Sequence, residues 1–416
     1  MAGKFFYLDR FIAENVTGRA KSMFLPDIED NREELSRKIK DKTILVIGGA
    51  GSIGSSFIRA VLPFQPKSLV VVDINENALA ELTRDLRSTK GMFVPDDYVP
   101  YPMSYSSETF RQMFLDRKGF DVVANFSAHK HVRSEKDIYS VEAMLRNNDL
   151  DARKLLELLS QYPPEEYFCV STDKAANPAN IMGASKRIME DLIFSYSDRF
   201  PVKTARFANV AFSNGSLPAG FLARLNKMQP LSAPNDVRRY FVSPEESGQI
   251  CMLSCMLADN RAIVFPKLKE QQMMTFDKIA EALLREYGYE PEYCFSDEEA
   301  VEKADRLRQM LRSGDVPEDE ALKYPVHFTG SDTAGEKPYE EFFTENEKTD
   351  MNRFKALGVI VGKEIPDKEK LGNLFAELEK SFDTHTATKE SVIRQIGEYL
   401  PSFSHIDSSR QLDSKM

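Results

Sequence analysis

A chain of 416 residues is longer than one typical core needs, so a large domain with a smaller companion is the natural expectation. With 42% hydrophobic and 29% charged residues the composition is that of a globular protein, and a formal charge of -10 argues against broad binding to nucleic acid or anionic membrane, which needs basic surface. Apolar runs are short: the longest, around Ile44–Ile47, cannot cross a bilayer, and Asp9 and Arg10 cut the apolar N-terminus too early for a secretory signal, so a cytoplasmic protein without a membrane span is expected.

Residues 1–41 form an extension with a predicted helix over Asp30–Ile39 and an aromatic cluster, Phe5, Phe6, Tyr7 and Phe11, that could seat on the core or on a second subunit. Thr43–Ile47 is a short β-rich apolar run, read as a buried parallel strand. It leads directly into Gly48-Gly49-Ala50-Gly51-Ser52-Ile53-Gly54, after which Ile53, Phe57, Ile58, Val61 and Leu62 recur at helical spacing until Pro63 and Pro66. Strand, glycine turn and helix together predict a dinucleotide site: Gly48 makes the turn, Gly51 admits a pyrophosphate, and Gly54 lets helix and strand pack closely. A second strand, Ser68–Val72, ends at Asp73, where a carboxylate accepts hydrogen bonds from an adenosine ribose. Ile74 and Asn75 follow, with no arginine to meet a 2′-phosphate, so NAD is favoured over NADP.

The alternation continues through a helix at Asn77–Arg87, a strand at Asp121–Asn125, a long helix before Tyr162 and a strand at Tyr167–Val170. A helix at Asn180–Tyr196 and a strand at Lys203–Phe207 complete it. This is the pattern of an α/β doubly wound parallel sheet, whose ligands bind beyond the carboxyl ends of the strands. Three runs fall there: Phe126-Ser127-Ala128-His129-Lys130-His131, Ser171-Thr172-Asp173-Lys174 and Ala208-Asn209-Val210. Ser127 and Ala128 are therefore candidates for the cofactor pocket. His129 and His131 lack a third ligand at a sensible spacing, and the scattered Cys169, Cys251, Cys255 and Cys294 form no Cys-x-x-Cys pair, so no metal site is indicated. Further on, Ser296–Lys323 is a charged segment whose Ser296-Asp297-Glu298-Glu299 resembles a capping box. Asp350–Glu379 and Thr388–Leu400 look helical, and the polar stretch from Ser402 is expected to fray.

Seven motifs in order carry a family resemblance: the glycine loop, Lys130-His131-Val132, Ser171-Thr172-Asp173-Lys174-x-x-Asn177-Pro178, Met182-Gly183-x-x-Lys186, Arg206-Phe207-x-Asn209-Val210, Arg239-Tyr240-Phe241 and Gly335-Glu336-Lys337-x-Tyr339-Glu340-Glu341. Between about Lys42 and Glu345 the chain resembles the CapD-type polysaccharide-biosynthesis branch of the extended short-chain dehydrogenase/reductase superfamily, which includes UDP-N-acetylglucosamine 4,6-dehydratases. Met182 stands where most relatives have a tyrosine that exchanges a proton with the sugar; a thioether cannot do this, although a subset of the branch also has methionine there.

The resemblance implies transient oxidation of the sugar at C4 by NAD, loss of water across C5 and C6, and return of the hydride to C6. It assigns Asp173 to C6 protonation, and in the methionine subset to the C4 hydroxyl as well. It assigns Lys174 to C5, Thr172 to a hydrogen bond near O4 and Lys186 to the nicotinamide ribose. For Lys174 to act as a base its pKa must fall, which burial beside a cation such as Lys186 would achieve. Asn209 and Arg239 are implied at the diphosphate and nucleoside, with Arg238 an alternative to Arg239, and Glu336 near the nucleotide ribose; Lys130 and Ser216 are counted with them as substrate-binding. Ser52 and Ile53 join the glycines at the cofactor.

The expected layout is an N-terminal extension 1–41, a Rossmann domain 42–212, a mainly nucleotide-sugar-binding part 213–345 with a helical insertion 296–323, and a C-terminal helical extension 346–416. A homo-oligomer is expected. Two departures lie around nucleotide recognition and leave UDP and GDP open: Tyr101-Pro102-Met103-Ser104 replaces an aspartate after the third strand, and Asp332-Thr333-Ala334 lacks the arginine that commonly precedes Gly-Glu-Lys. An NAD-dependent C4 or C5 epimerase and a catalytically idle binding protein are the alternative readings.

Overall fold

Strands buried on both faces have apolar side chains at successive positions, and the first two strands have this character: β1 (Thr43–Ile47) and β2 (Ser68–Asp73) pair in parallel, Ile44 opposite Leu69 and Val46 opposite Val71. In this computed structural model, which describes residues 6–130, 135–314, 322–331 and 340–406, they lie within a nine-stranded sheet. Its other members are β3 (Asp97–Pro102), β4 (Val122–Asn125), β5 (Glu166–Val170), β6 (Val202–Ala205), β10 (Ile263–Pro266), β14 (Thr349–Asp350) and β15 (Leu357–Ile360). The order is β14-β15-β10-β6-β5-β4-β1-β2-β3, parallel from β10 to β3 and antiparallel across β15 and β14.

Alternate residues of each strand serve opposite layers. Leu45, Ile47, Val70 and Val72 pack with the helices Glu108–Asp116, Asp151–Leu159 and Ile181–Phe194, whereas Ile44, Val46, Leu69 and Val71 pack with Ser52–Val61, Glu76–Ser88 and Pro244–Leu257. This is the doubly wound α/β arrangement the alternation predicts. A smaller lobe has its own core, with Phe221, Ile279, Leu283, Tyr324 and Val326 buried. It contains the sheets β11-β9-β7 and β12-β13-β8, built from β7 (Asn209–Val210), β8 (Leu231–Pro234), β9 (Arg238–Val242), β11 (Met273–Thr275), β12 (Tyr289–Tyr293) and β13 (Leu322–Thr329).

Several local expectations need correction. Of the expected helix Asp350–Glu379 only the part from Lys368 is helical, and that helix runs on to Asp383; Val359 and Ile360, β-branched, instead extend the main sheet in β15. Ser296 caps the helix Asp297–Ser313, but Glu299 accepts from the Phe295 N–H at 2.8 Å rather than from Ser296, so the reciprocal half of a capping box is displaced by one residue. The aromatic extension seats on its own chain: Phe11 is buried, with ring contacts from Phe6 to Tyr287 (5.0 Å) and from Phe11 to Phe212 (5.8 Å), while Phe5 lies outside the described residues. The segment beyond Ser402 is docked at least to Ile406, whose N–H donates to Ala179 O at 3.0 Å.

Candidate active site

The carboxyl ends of β1, β4, β5 and β6 open toward one cavity of about 520 Å³. At β1 the chain reverses through Gly48, whose φ of +69° lies in the left-handed region; a Cβ there would sit 2.7 Å from Ser127 N. Gly54 lies so close beneath the turn that an added Cβ would come within 2.4 Å of Gly48 O. The helix Ser52–Val61 starts immediately after this turn, with its N-terminus at the cavity. Asp73, at the end of β2, accepts from Ala50 N and Asn75 N, both at 3.0 Å, so it braces the glycine turn. The described residues thus fit NAD: a left-handed glycine turn, a helix N-terminus for phosphate, a carboxylate at the second strand and Lys186 on the far side.

Gly48, Gly51, Ser52, Ile53, Gly54, Ala128, Lys130, Thr172, Asp173, Lys174, Met182, Lys186, Asn209, Ser216 and Arg239 all line this cavity. Ser127 and Asp73 stand behind it; Ser127 Oγ donates to Asn147 Oδ1 at 3.3 Å. Glu336 and His131 lie outside the described residues. Of the two arginines, Arg239 is buried and lines the cavity, whereas Arg238 is exposed and reaches Glu270 at 3.3 Å.

At the end of β5 the Thr172 hydroxyl donates to Asp173 Oδ1 at 2.6 Å, and Lys174 Nζ lies 3.3 Å from both Asp173 oxygens. Met182 and Lys186 are presented by the helix Ile181–Phe194, started by Asn180, whose side chain accepts from Gly183 N. Lys186 is buried and donates to Val170 O at 3.1 Å; burial pulls its ammonium below the ordinary range against the opposing influence of Cys169, Asp149 and Glu190. Asp149 is fully buried, and burial raises its carboxyl well above the ordinary range.

Lys174 overturns an expectation. Burial does pull it down, but Asp173 and Glu340 outweigh burial and Arg239, and the ammonium is held above its ordinary value. The cation near it is Arg239 rather than Lys186, and two carboxylates dominate.

Glu340 belongs to the quoted Tyr339-Glu340-Glu341 run, but nothing in the local pattern distinguishes it from a solvated acid. It is buried, accepts from Asn209 Nδ2 at 2.7 Å and from Tyr240 N at 2.9 Å, and is pushed up to about 8 by burial first and then by Asp173. Two acids not anticipated from sequence, Glu190 and Glu347, brace the site through motif residues: Ser171 Oγ donates to Glu190 Oε1 at 2.6 Å, and Glu190 and Glu347 both pair with the fully buried Arg206.

The comparisons with known proteins agree with this architecture. Residues 44–361 match the family described as Polysaccharide biosynthesis protein. The chain is 32% identical over 268 residues to an uncharacterized membrane protein of Methanocaldococcus jannaschii, covering 62% of this chain and 77% of that one. It is 28% identical over 318 residues to the capsular polysaccharide biosynthesis protein CapD of Staphylococcus aureus, covering 75% of this chain but only 47% of CapD. Among solved structures, Pen from Bacillus thuringiensis superposes with a TM-score of 0.59 at 20% identity, over 82% of this chain and 98% of that one, a likeness of fold. Because the family match runs from β1 through β15 and so takes in the whole main sheet and the cavity, the chain belongs to the polysaccharide biosynthesis protein family, in its CapD-type branch.

Proposed function

We propose that this chain is an NAD-dependent nucleotide-sugar 4,6-dehydratase that converts a UDP- or GDP-linked N-acetylhexosamine into its 4-keto-6-deoxy form. The observation that carries this reading is the hydrogen-bonded Thr172-Asp173-Lys174 set, lining the same cavity as the glycine turn and Lys186, with a methionine in the usual tyrosine position. A simple C4 epimerase relies on that tyrosine and needs no acid at C6.

Bound NAD would supply the hydride acceptor at C4 and the donor to C6. Asp173 takes the proton of the C4 hydroxyl as the ketone forms, which acidifies C5–H. The proton on Asp173 then leaves with the C6 hydroxyl as water. Lys174 removes the C5 proton in its neutral form and returns it to C5 when C6 has been reduced, so sugar minus water is the net change. Because Lys174 starts as a stabilised ammonium ion, it must release a proton to solvent water before it can act at C5. Thr172 holds Asp173 in place and orients O4. Lys186 carries the ribose, and Asn209, Ser216 and Arg239 receive the diphosphate and nucleoside.

Incubation with UDP-N-acetylglucosamine, and separately its GDP analogue, in D₂O and inspection of the proton NMR spectrum test this directly. A new C6 methyl signal with deuterium at C5 is expected for one nucleotide, reduced about 100- to 10,000-fold in rate by Asp173→Asn. An unaltered C6 hydroxymethyl with a changed H4 coupling identifies an epimerase instead. Full turnover by Asp173→Asn refutes the mechanism.

A further inference from the structure

Among the described residues none of the extension 1–41 lines the active-site cavity, yet the extension touches two segments that do. The first is the loop between β7 and the helix Leu217–Asn226, of which Ser213, Asn214, Gly215 and Ser216 line the cavity. Ser216 caps that helix, accepting from Ala219 N. The second is β9, whose Arg239 and Phe241 stand two apart on one face of the strand and both line the cavity. β7 and β9 pair in parallel, Asn209 opposite Phe241, and Ala211 N donates to Val242 O at 2.9 Å, so the two segments form one wall.

Each segment is held from outside by the extension. Phe212 has a φ of +55°, a left-handed conformation that a phenylalanine keeps only where its surroundings hold it. Its ring meets the buried Phe11 edge to face, 5.8 Å between centroids and 82° between planes. From the cavity side the Ser52 hydroxyl accepts from Asn214 N at 2.8 Å, so the loop is gripped between the cofactor helix and the extension. At β9, Arg19 Nη2 donates to Phe241 O at 2.9 Å, while Nε and Nη2 reach the two carboxylate oxygens of Glu246 at 2.7 and 2.6 Å. Glu246 is buried and also accepts from Ser243 N at 2.9 Å, directly after β9. Such a fork needs the planar guanidinium, because an ammonium is a single point of charge.

We propose that the N-terminal extension is a working part of the substrate site: Phe11 and Arg19 are positioning residues that set the loop 211–216 and β9 so that Ser216 and Arg239 meet the diphosphate and nucleoside. Resting on the reading of Ser216 and Arg239 as nucleotide-sugar contacts, this role is independent of the reaction that follows. If the extension merely packed against the small lobe, losing either residue would lower stability and leave the affinity of the molecules that stay folded unchanged. Positioning couples the two: the extension tightens the nucleotide, and by linkage the nucleotide tightens the extension.

Calorimetric titration of the full chain with UDP, and separately GDP, tests this without any turnover. Arg19→Lys is expected to weaken the accepted nucleotide about 2- to 10-fold, the size of one hydrogen bond, with co-purifying NAD unchanged. An unchanged affinity in an Arg19→Lys protein that is folded by circular dichroism overturns the proposal, even if its denaturant midpoint has fallen. Phe11→Ala and Phe212→Ala are expected to weaken binding non-additively, since both remove the same contact; additive losses, or none, overturn the role of Phe11. Should these variants fail to fold, the wild-type protein still decides. Residues 8–19 are expected to gain protection from hydrogen exchange when the nucleotide binds, and unaltered exchange there overturns the proposal. Loss of binding in Arg239→Met with full binding in Arg19→Lys keeps the nucleotide-sugar reading and removes the extension from it. Full binding in Arg239→Met, or no binding of either nucleotide to the wild type, removes both.

Discussion

Position 182 concentrates the chemistry of the residue scale. Met182 is buried, lines the cavity and donates its backbone N–H to Glu135 Oε1 at 2.8 Å, while its side chain offers no proton. In the proposed mechanism the acid and base work falls to Asp173 and Lys174, which pair at 3.3 Å. At the cofactor end the constraint is steric. Gly54→Ala would drive a methyl group to 2.4 Å from Gly48 O and 2.7 Å from Gly49 Cα, backbone atoms that cannot move aside without opening the turn. Loss of co-purifying NAD is expected for Gly54→Ala, measured by release of the nucleotide on denaturation and chromatography; full retention would show that the turn does not hold the pyrophosphate.

Elements distant in the chain converge on the helix Ile181–Phe194, which is buried along nearly its whole length. The sheet covers one side of it. The helices Lys368–Asp383 and Lys389–Tyr399 belong to the same apolar cluster, through Leu374, Phe375, Leu378 and Ile396. Arg153 and Arg146 reach Glu379 and Asp383 at 2.9 and 2.8 Å and lie over the rings of Phe375 and Phe382, joining the helix pair to the core. Phe375 is 1% exposed, and Phe375→Ala is expected to cost about 3–5 kcal/mol, read as a lowered denaturant midpoint with unchanged slope. A loss below 1 kcal/mol would mean that this helix pair is peripheral to the fold. β15, inside the stretch Asp350–Glu379 expected as helix, is a four-residue run too short to show a clear period. Antiparallel pairing of Val359 with Val264 resolves the ambiguity only once β10 is in place.

Over the whole molecule, buried charge ties the large domain to its C-terminal part. Arg206, fully buried, is satisfied by Glu190, Glu347 and Phe342 O, and Lys363 closes the network on Glu347. Burial works against the Glu347 carboxylate, yet Arg206 and Lys363 hold it down to about 2, below its ordinary 4.5. A depressed carboxyl contributes stability that is fully present above its unfolded value and is lost as pH falls through the folded value. Up to about 3 kcal/mol is therefore expected to disappear between about pH 4.5 and pH 2. Glu347→Gln should flatten that limb of the stability curve measured by denaturant unfolding, and an unchanged limb would place the acid sensitivity elsewhere.

The doubly wound sheet, the cofactor turn and the order of the motifs are legible in the chain alone. Each is written locally: strands buried on both faces need continuous apolar runs, a left-handed turn needs glycine, and the acid at the end of the second strand follows at a set distance. The run after β5 that lines the cavity is equally legible, since Thr172, Asp173 and Lys174 are adjacent in the chain. What those residues do with their protons was not. The burial of Glu340 and the clamp on Arg206 depend on partners 131 and 141 positions apart, as Asn209 is from Glu340 and Arg206 from Glu347, and the charge of Lys174 depends on Glu340, further off still. Desolvation and Coulomb energy act through space, so it is the folded chain that brings Glu340 and Arg239, far off in sequence, to Asp173 and Lys174.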